Sequence, residues 1–105
     1  MSNKEDIQFD YKELDDVIHA RIRLAIMTIL LTRGQTDFKT LKLKTNTTDG
    51  NLSTHLRKLE NAKYIIVEKS FLNRKPITIY FVSDIGKKAY AIYLKRLEDL
   101  VSLNI

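Results

Sequence analysis

Between Lys63 and Tyr64 the chain changes its period. Before that point apolar residues recur every three or four positions, the spacing of helices. After it, Tyr64 to Leu72 and Ile77 to Val82 crowd β-forming side chains into two short runs, namely Tyr64, Ile65, Ile66, Val67 and Phe71, then Ile77, Thr78, Ile79, Tyr80, Phe81 and Val82. The polar loop Asn73-Arg74-Lys75-Pro76 lies between them, so the two runs read as one hairpin. Ser83-Asp84 then caps a last helical stretch, about Asp84 to Ser102. Few folds admit one hairpin set late among helices. The expected class is α+β, mainly α.

The helices upstream have recognisable ends. From Asp15 or Asp16 to Arg33, apolar groups lie almost all round, including Val17, Ile18, Ile22, Ile26, Met27 and Leu30, so this helix should be buried on most sides. Gly34 ends it. Asp37 can cap a short second helix, Phe38 to Thr45, with Phe38, Leu41 and Thr45 facing inward. Asn46 tolerates left-handed geometry, and Thr47 or Thr48 can cap a third helix reaching Ala62. Met1 to about Tyr11 lacks periodicity, so residues 1–12 are expected to form a flexible arm and residues 13–105 a single domain. Tyr64, Phe71, Tyr80 and Phe81 are expected to pack against helices rather than offer a platform for nucleobases.

Composition narrows the chemistry. The chain has 105 residues, no cysteine and two histidines, His19 and His55, so no disulfide framework and no zinc cluster is expected. No cofactor or metal is implied. No Ser/His/acid set or phosphate-cradling loop is recognisable, and an enzyme is not expected. The start is polar and acid-rich, unlike a signal peptide, and no apolar run is long enough for a membrane span, so a cytoplasmic protein without a membrane partner is expected. Net charge is +5. Residues 1–16 set two lysines against six carboxylates, whereas residues 39–75 set nine lysines and arginines against three. A basic middle beside an acidic start attracts polyanions in general.

A helix, a short helix, a turn and a third helix followed by a hairpin fit a winged helix-turn-helix: helix, helix, turn, recognition helix, β-hairpin wing, C-terminal helix. The stretch DGNLSTHLRKLENAKYIIVEKSFLNRKPITIYFVSDIGKKAY resembles the core of small winged helix-turn-helix transcription regulators of the MarR and ArsR types, most closely a compact archaeal and bacterial subgroup. The matching pieces are Thr48 to Glu60, Glu68-Lys69, Arg74-Lys75-Pro76 and Ser83 to Gly86, and the likeness covers about Leu14 to Leu97. It implies a DNA-binding regulator, commonly a homodimer, with the third helix in the major groove. Lys63 stands where that subgroup usually has glycine, and Lys44 and Thr47 replace residues that are often apolar. Leu43 points away from the inner face of its helix.

The residues of the third helix support the same reading. Leu56 and Leu59 fall within about 40° of Leu52 on a helical wheel, and Ala62 extends the stripe. Gly50, Thr54, Arg57, Lys58 and Asn61 lie opposite, Asn51 and Ser53 flank them, and His55 sits near the apolar edge. Gly50 would let a DNA strand approach closely. Thr45, Thr47 and Ser53 can donate to phosphates, Asn51 can pair with adenine and Arg57 with guanine, and Thr54 can meet a thymine methyl. Lys58 suits the backbone, and Arg74 and Lys75 suit the adjacent minor groove or its phosphates. The expected DNA-binding set is therefore Thr47, Gly50, Asn51, Ser53, Thr54, His55, Arg57, Lys58, Arg74 and Lys75. Plainer roles stand beside these: Thr48 as a cap, Asp49 as a dipole partner, His55 as a packed residue, Lys58 and Asn61 as solvated ones, and His19 as structural.

The last helix carries more apolar surface than one core needs. Ile85, Ala89, Tyr90, Ile92, Tyr93, Leu94, Leu97, Leu100 and Val101 span an arc of about 200°, against the ~100° a surface helix typically buries. Residues 84–102 are thus expected to dimerise the chain through Tyr90, Tyr93, Leu94, Leu97 and Val101, the alternative being a helix covered by the N-terminal arm. A dimer implies double-stranded DNA bearing an inverted repeat. A second functional class, a winged helix used as a protein–protein interaction module, would need apolar residues on the outer face of the third helix. A small apolar effector between the first and last helices is left open, and repression versus activation is not encoded in the residues.

Overall fold

The computed structural model describes residues 9–103. Most of the expected arm, residues 1–8, lies outside the described residues; Asp10 caps a single 3-10 turn at Tyr11–Glu13. The elements that follow are α1 (Arg21–Arg33), β1 (Thr36–Asp37), α2 (Phe38–Thr45), α3 (Asp49–Asn61), β2 (Ile65–Leu72), β3 (Lys75–Val82) and α4 (Asp84–Val101). With four helices and a three-stranded antiparallel sheet among the described residues, this is the mainly helical winged-helix fold expected from the sequence.

The first helix begins later than its apolar pattern suggests. Asp15 Oδ1 accepts the N–H groups of Val17 and Ile18 at 2.8 and 3.1 Å, closing one isolated turn. Ala20 is then extended, with φ −146° and ψ 131°, and α1 starts at Arg21 rather than at Asp15 or Asp16. The break divides the interior in two. Ile18 turns to a small cluster with Leu14 and Tyr93. Ile26, Met27 and Leu30 of α1 enter the main core with Leu41, Leu52, Leu56, Leu59, Ile65, Tyr80 and Val82.

The sheet has order β1-β3-β2. β1 pairs Thr36 with Tyr80 and Asp37 with Ile79; two residues leave no alternating pattern, and the sequence did not foretell this strand. The wing turn is tighter than expected. Leu72 pairs with Lys75, so Asn73 and Arg74 alone make the turn, with φ 52° and 68°. Two successive left-handed residues match the type I′ hairpin, whose twist suits the flanking strands. Lys75 and Pro76 therefore belong to β3. Pro76 is tolerated because β1 reaches no further along β3 than Ile79, so no neighbouring strand asks for its missing N–H.

Two junctions lock the helices to the sheet. Lys63 takes φ 68° where glycine would sit more easily, and Tyr64 N donates to Leu59 O at 3.0 Å across the end of α3. The Tyr64 phenol donates to Asp15, tying this junction to the segment before α1. Burial, then the bond to Asp15, pushes that phenol up to about 12, so it remains a neutral donor. At the second junction Ser83 Oγ accepts from Gly86 N at 3.0 Å and caps α4. A Cβ built on Gly86 would lie 2.1 Å from Tyr64 O and 2.8 Å from a Val82 methyl. Only glycine fits there. Gly86→Ala should lower the unfolding free energy by about 1–3 kcal/mol in urea denaturation, the usual cost of overpacking; an unchanged midpoint would contradict this close approach.

Candidate nucleic-acid interface

Thr48 opens α3 as expected: its backbone is extended and its Oγ accepts from Asn51 N at 3.2 Å. Leu52, Leu56 and Leu59 are 0%, 3% and 0% exposed, so the inner stripe is fully used by the core. Every exposed residue of α3 is polar or glycine: Asp49, Gly50, Asn51, Thr54, Arg57, Lys58, Glu60 and Asn61. Ser53 and His55 are half-buried at its margins. A Cβ placed on Gly50 would meet nothing within 4 Å. Glycine inside a helix typically costs ~0.5–1 kcal/mol relative to alanine. Nothing among the described residues accounts for it there.

Some of the polar groups are already engaged inside the chain. Thr45 Oγ donates to Leu41 O at 2.7 Å and lies 2.9 Å from Thr47 Oγ, so the Thr47 hydroxyl is the donor of that pair. Thr47 N also turns inward, to Lys42 O. Expected as a phosphate donor, Thr47 instead spends its hydroxyl proton on the turn and keeps only lone pairs to offer. Thr54 Oγ donates back to Gly50 O at 2.9 Å, which spends its hydroxyl proton within the helix. Asp49 meets Lys42 Nζ of α2 at 2.8 Å. That exposed pair contributes at most ~1 kcal/mol, but it offsets the one acidic charge at the start of α3.

His55 is held from behind. Arg23 Nη1 of α1 donates to its Nδ1 at 2.9 Å, while Arg23 Nε donates to Val17 O at 2.6 Å. Burial first, then the charges of Arg23 and Lys58, lower the His55 pKa below its ordinary 6.5. Sequence reasoning missed Arg23. It stands 32 positions from His55, and its only signal was a charge inside an apolar helix.

The wing projects from the core. Ile65, Tyr80 and Val82 root it in the interior, whereas every residue from Glu68 to Pro76 is exposed. That tip carries Lys69, Arg74 and Lys75 against Glu68. Phe71, expected to pack, is instead 74% exposed, because β2 and β3 run past the last helix that could cover it. Leu72 beside it and Leu43 on α2 are exposed as well.

On α4 the expected apolar face is divided. Tyr93, expected to meet a second chain, is 2% exposed and packs within its own subunit, its hydroxyl 2.7 Å from His19 Nδ1. Tyr90 bonds Thr28 at 2.8 Å and is half-buried, as is Leu97. Leu94 and Val101 are exposed, and so are Ile85 and Ile92 on the opposite flank. Among the described residues no three acidic, histidine or cysteine side chains cluster so as to hold a metal ion, and no helix is long and apolar enough to cross a membrane.

Residues 22–101 match the family described as winged helix DNA-binding domain. An uncharacterized protein of Methanocaldococcus jannaschii is 31% identical over 84 residues, which cover 80% of this chain and 91% of that one. Among solved structures, a transcriptional regulator homologue protein from Pyrococcus horikoshii OT3 superposes with a TM-score of 0.72 at 28% identity, covering 86% of this chain and 94% of that one.

Because the outer face of α3 depends on where that helix starts, its cap is a direct handle. Thr48→Ala should cost about 1 kcal/mol in chemical denaturation and Thr48→Ser much less. Equal stability of the two variants would remove the hydroxyl from the account.

Proposed function

This chain belongs to the winged helix DNA-binding domain family, and we propose that it is a sequence-specific transcription regulator that binds double-stranded DNA as a homodimer. The carrying observation is the outer face of α3, where eight residues are exposed and none is apolar. A protein-docking helix would place apolar anchors there. The description of the Pyrococcus protein as a transcriptional regulator homologue supports the same reading.

In this reading α3 enters the major groove. Asn51 and Arg57 have the donor patterns for adenine and guanine edges, and the Thr54 methyl suits thymine. Gly50 brings the backbone close to a strand. Ser53 and Lys58 meet phosphates, and the lone pairs of Thr47 suit a bridging water. Arg74 and Lys75 carry the wing to the adjacent backbone or minor groove. Residues 13–105 act as one domain, with α4 as the dimerisation helix. Leu94 and Val101 are its exposed apolar anchors, with Tyr90 and Leu97 half-buried beside them. Two-fold symmetry would set two α3 helices about 34 Å apart, one turn of duplex, on an inverted repeat.

Selection of bound oligonucleotides from a random pool should return an inverted repeat with half-sites about one helical turn apart. With about six phosphates contacted, affinity for the selected site should fall by roughly three decades between ~50 and ~200 mM salt. No enrichment over random sequence, or an affinity indifferent to salt, would overturn the assignment.

A further inference from the structure

Among the described residues Arg23 is the one basic side chain of α1 hydrogen-bonded to α3, and it is anchored on three sides. Its Nε donates to Val17 O at 2.6 Å, its Nη2 to Asp16 O at 3.4 Å and its Nη1 to His55 Nδ1 at 2.9 Å. The break before α1 exposes the two carbonyls that hold it. A guanidinium has donors only, so the lone pair of His55 Nδ1 must face Arg23 and the ring proton must sit on Nε2. On α3, Asn51 lies four residues before His55 and Lys58 three after it, which places all three on one flank. Arg23, Lys58 and Asn61 line a groove of about 430 Å³ on that flank, together with Asp16, Val17 and Ala62.

We infer that Arg23 is a positioning residue for DNA recognition: by donating to Nδ1 it fixes the His55 imidazole as a neutral ring with its proton on Nε2, so that His55 presents one oriented hydrogen-bond donor, not a cation, to an acceptor on DNA beside Asn51 and Lys58. The inference rests on the reading of α3 as the groove-entering helix. An unrestrained histidine exchanges tautomers and gains a charge near neutral pH. Here burial opposes that charge first, and the cations Arg23 of α1 and Lys58 of α3 oppose it further. Asp16, the carboxylate lining the groove that Arg23 and Lys58 share, is the one group there whose charge would favour it. A neutral, oriented donor favours one arrangement of acceptors, whereas a cation there would attract any phosphate.

The sign of the pH effect follows. With a pKa lowered from its ordinary value, His55 is mostly neutral at neutral pH and takes up its proton at lower pH than a free imidazole does. Nitrogen-15 NMR of the full chain without DNA should find Nδ1 unprotonated and Nε2 protonated at pH 7.5. Arg23→Ala should raise the His55 titration midpoint and abolish the single tautomer. Arg23→Lys, which can still donate to Nδ1, should restore both in part. On the selected oligonucleotide, wild-type affinity should change less between pH 8 and 6.5 than that of Arg23→Ala, which should tighten on acidification. His55→Ala should lose about tenfold in preference for the selected site over a one-base variant, with the salt slope at pH 7.5 unchanged.

A protonated Nδ1 in the free protein overturns the inference. So does a His55→Ala variant that keeps its base preference, or one whose salt slope falls by about 0.9, the signature of a lost cation. These results leave the proposed regulator standing as long as the wild type selects DNA. Failure of the wild type to bind any DNA sinks the reading of α3, and the donor role of His55 with it, whatever the tautomer.

Discussion

Burial of Leu52, Leu56 and Leu59 against α1 and β2, in the core that also holds Leu41, is the contact on which the remaining architecture depends. Each fully buried leucine is worth about 1.5–3 kcal/mol, so the stripe fixes the rotation of α3 about its own axis. Once that rotation is fixed, the side opposite has one possible content: the polar residues the sequence puts there. Thr48 sets where the helix starts, and Asp49 in its first turn pairs with Lys42 of α2 at the surface. Gly86 lets α4 cross the Tyr64 carbonyl, which brings α4 back over the segment preceding α1. Tyr93 then seals that segment through Leu14, Ile18 and His19.

The chain accepts local strain where it turns from helix to wing. Lys63, Asn73 and Arg74 all have positive φ, and for a residue other than glycine or asparagine such a conformation costs roughly 1–2 kcal/mol. At Arg74 the type I′ turn places a cation at the outermost point of the hairpin, where a glycine would be easier for the backbone but would carry no charge. Lys63 likewise puts a charge beside the end of α3. Both positions exchange backbone comfort for positive charge on the basic side of a polarised molecule.

Much of this was legible in the sequence because caps and periods are local. Asp37, Thr48 and Ser83 each accept the N–H three residues on, and α2, α3 and α4 begin where those residues predicted. The stripe of α3 and the exposure of its opposite face followed from spacing alone. What escaped depends on partners distant in the chain. The start of α1 is decided by Asp15 and Ala20 against an apolar pattern that runs straight through them. β1 is too short to have a period and exists only because β3 lies beside it. Tyr93 looked available for a second chain, since a wide apolar arc does not say which part its own subunit will claim. The exposure of Phe71 reflects how far the hairpin outruns the core, and the Arg23–His55 bond joins two residues that no local motif connects.

The central claim is that the outer side of α3 is shaped for a duplex. Gly50→Ala tests it most directly, because the subunit and the DNA should respond in opposite senses. A Cβ at Gly50 meets nothing among the described residues, so the variant should unfold later, by about 0.5–1 kcal/mol. The same methyl should meet the approaching strand, and affinity for the selected oligonucleotide should drop by about tenfold or more. A variant that is more stable and binds that oligonucleotide as well as the wild type would contradict the account.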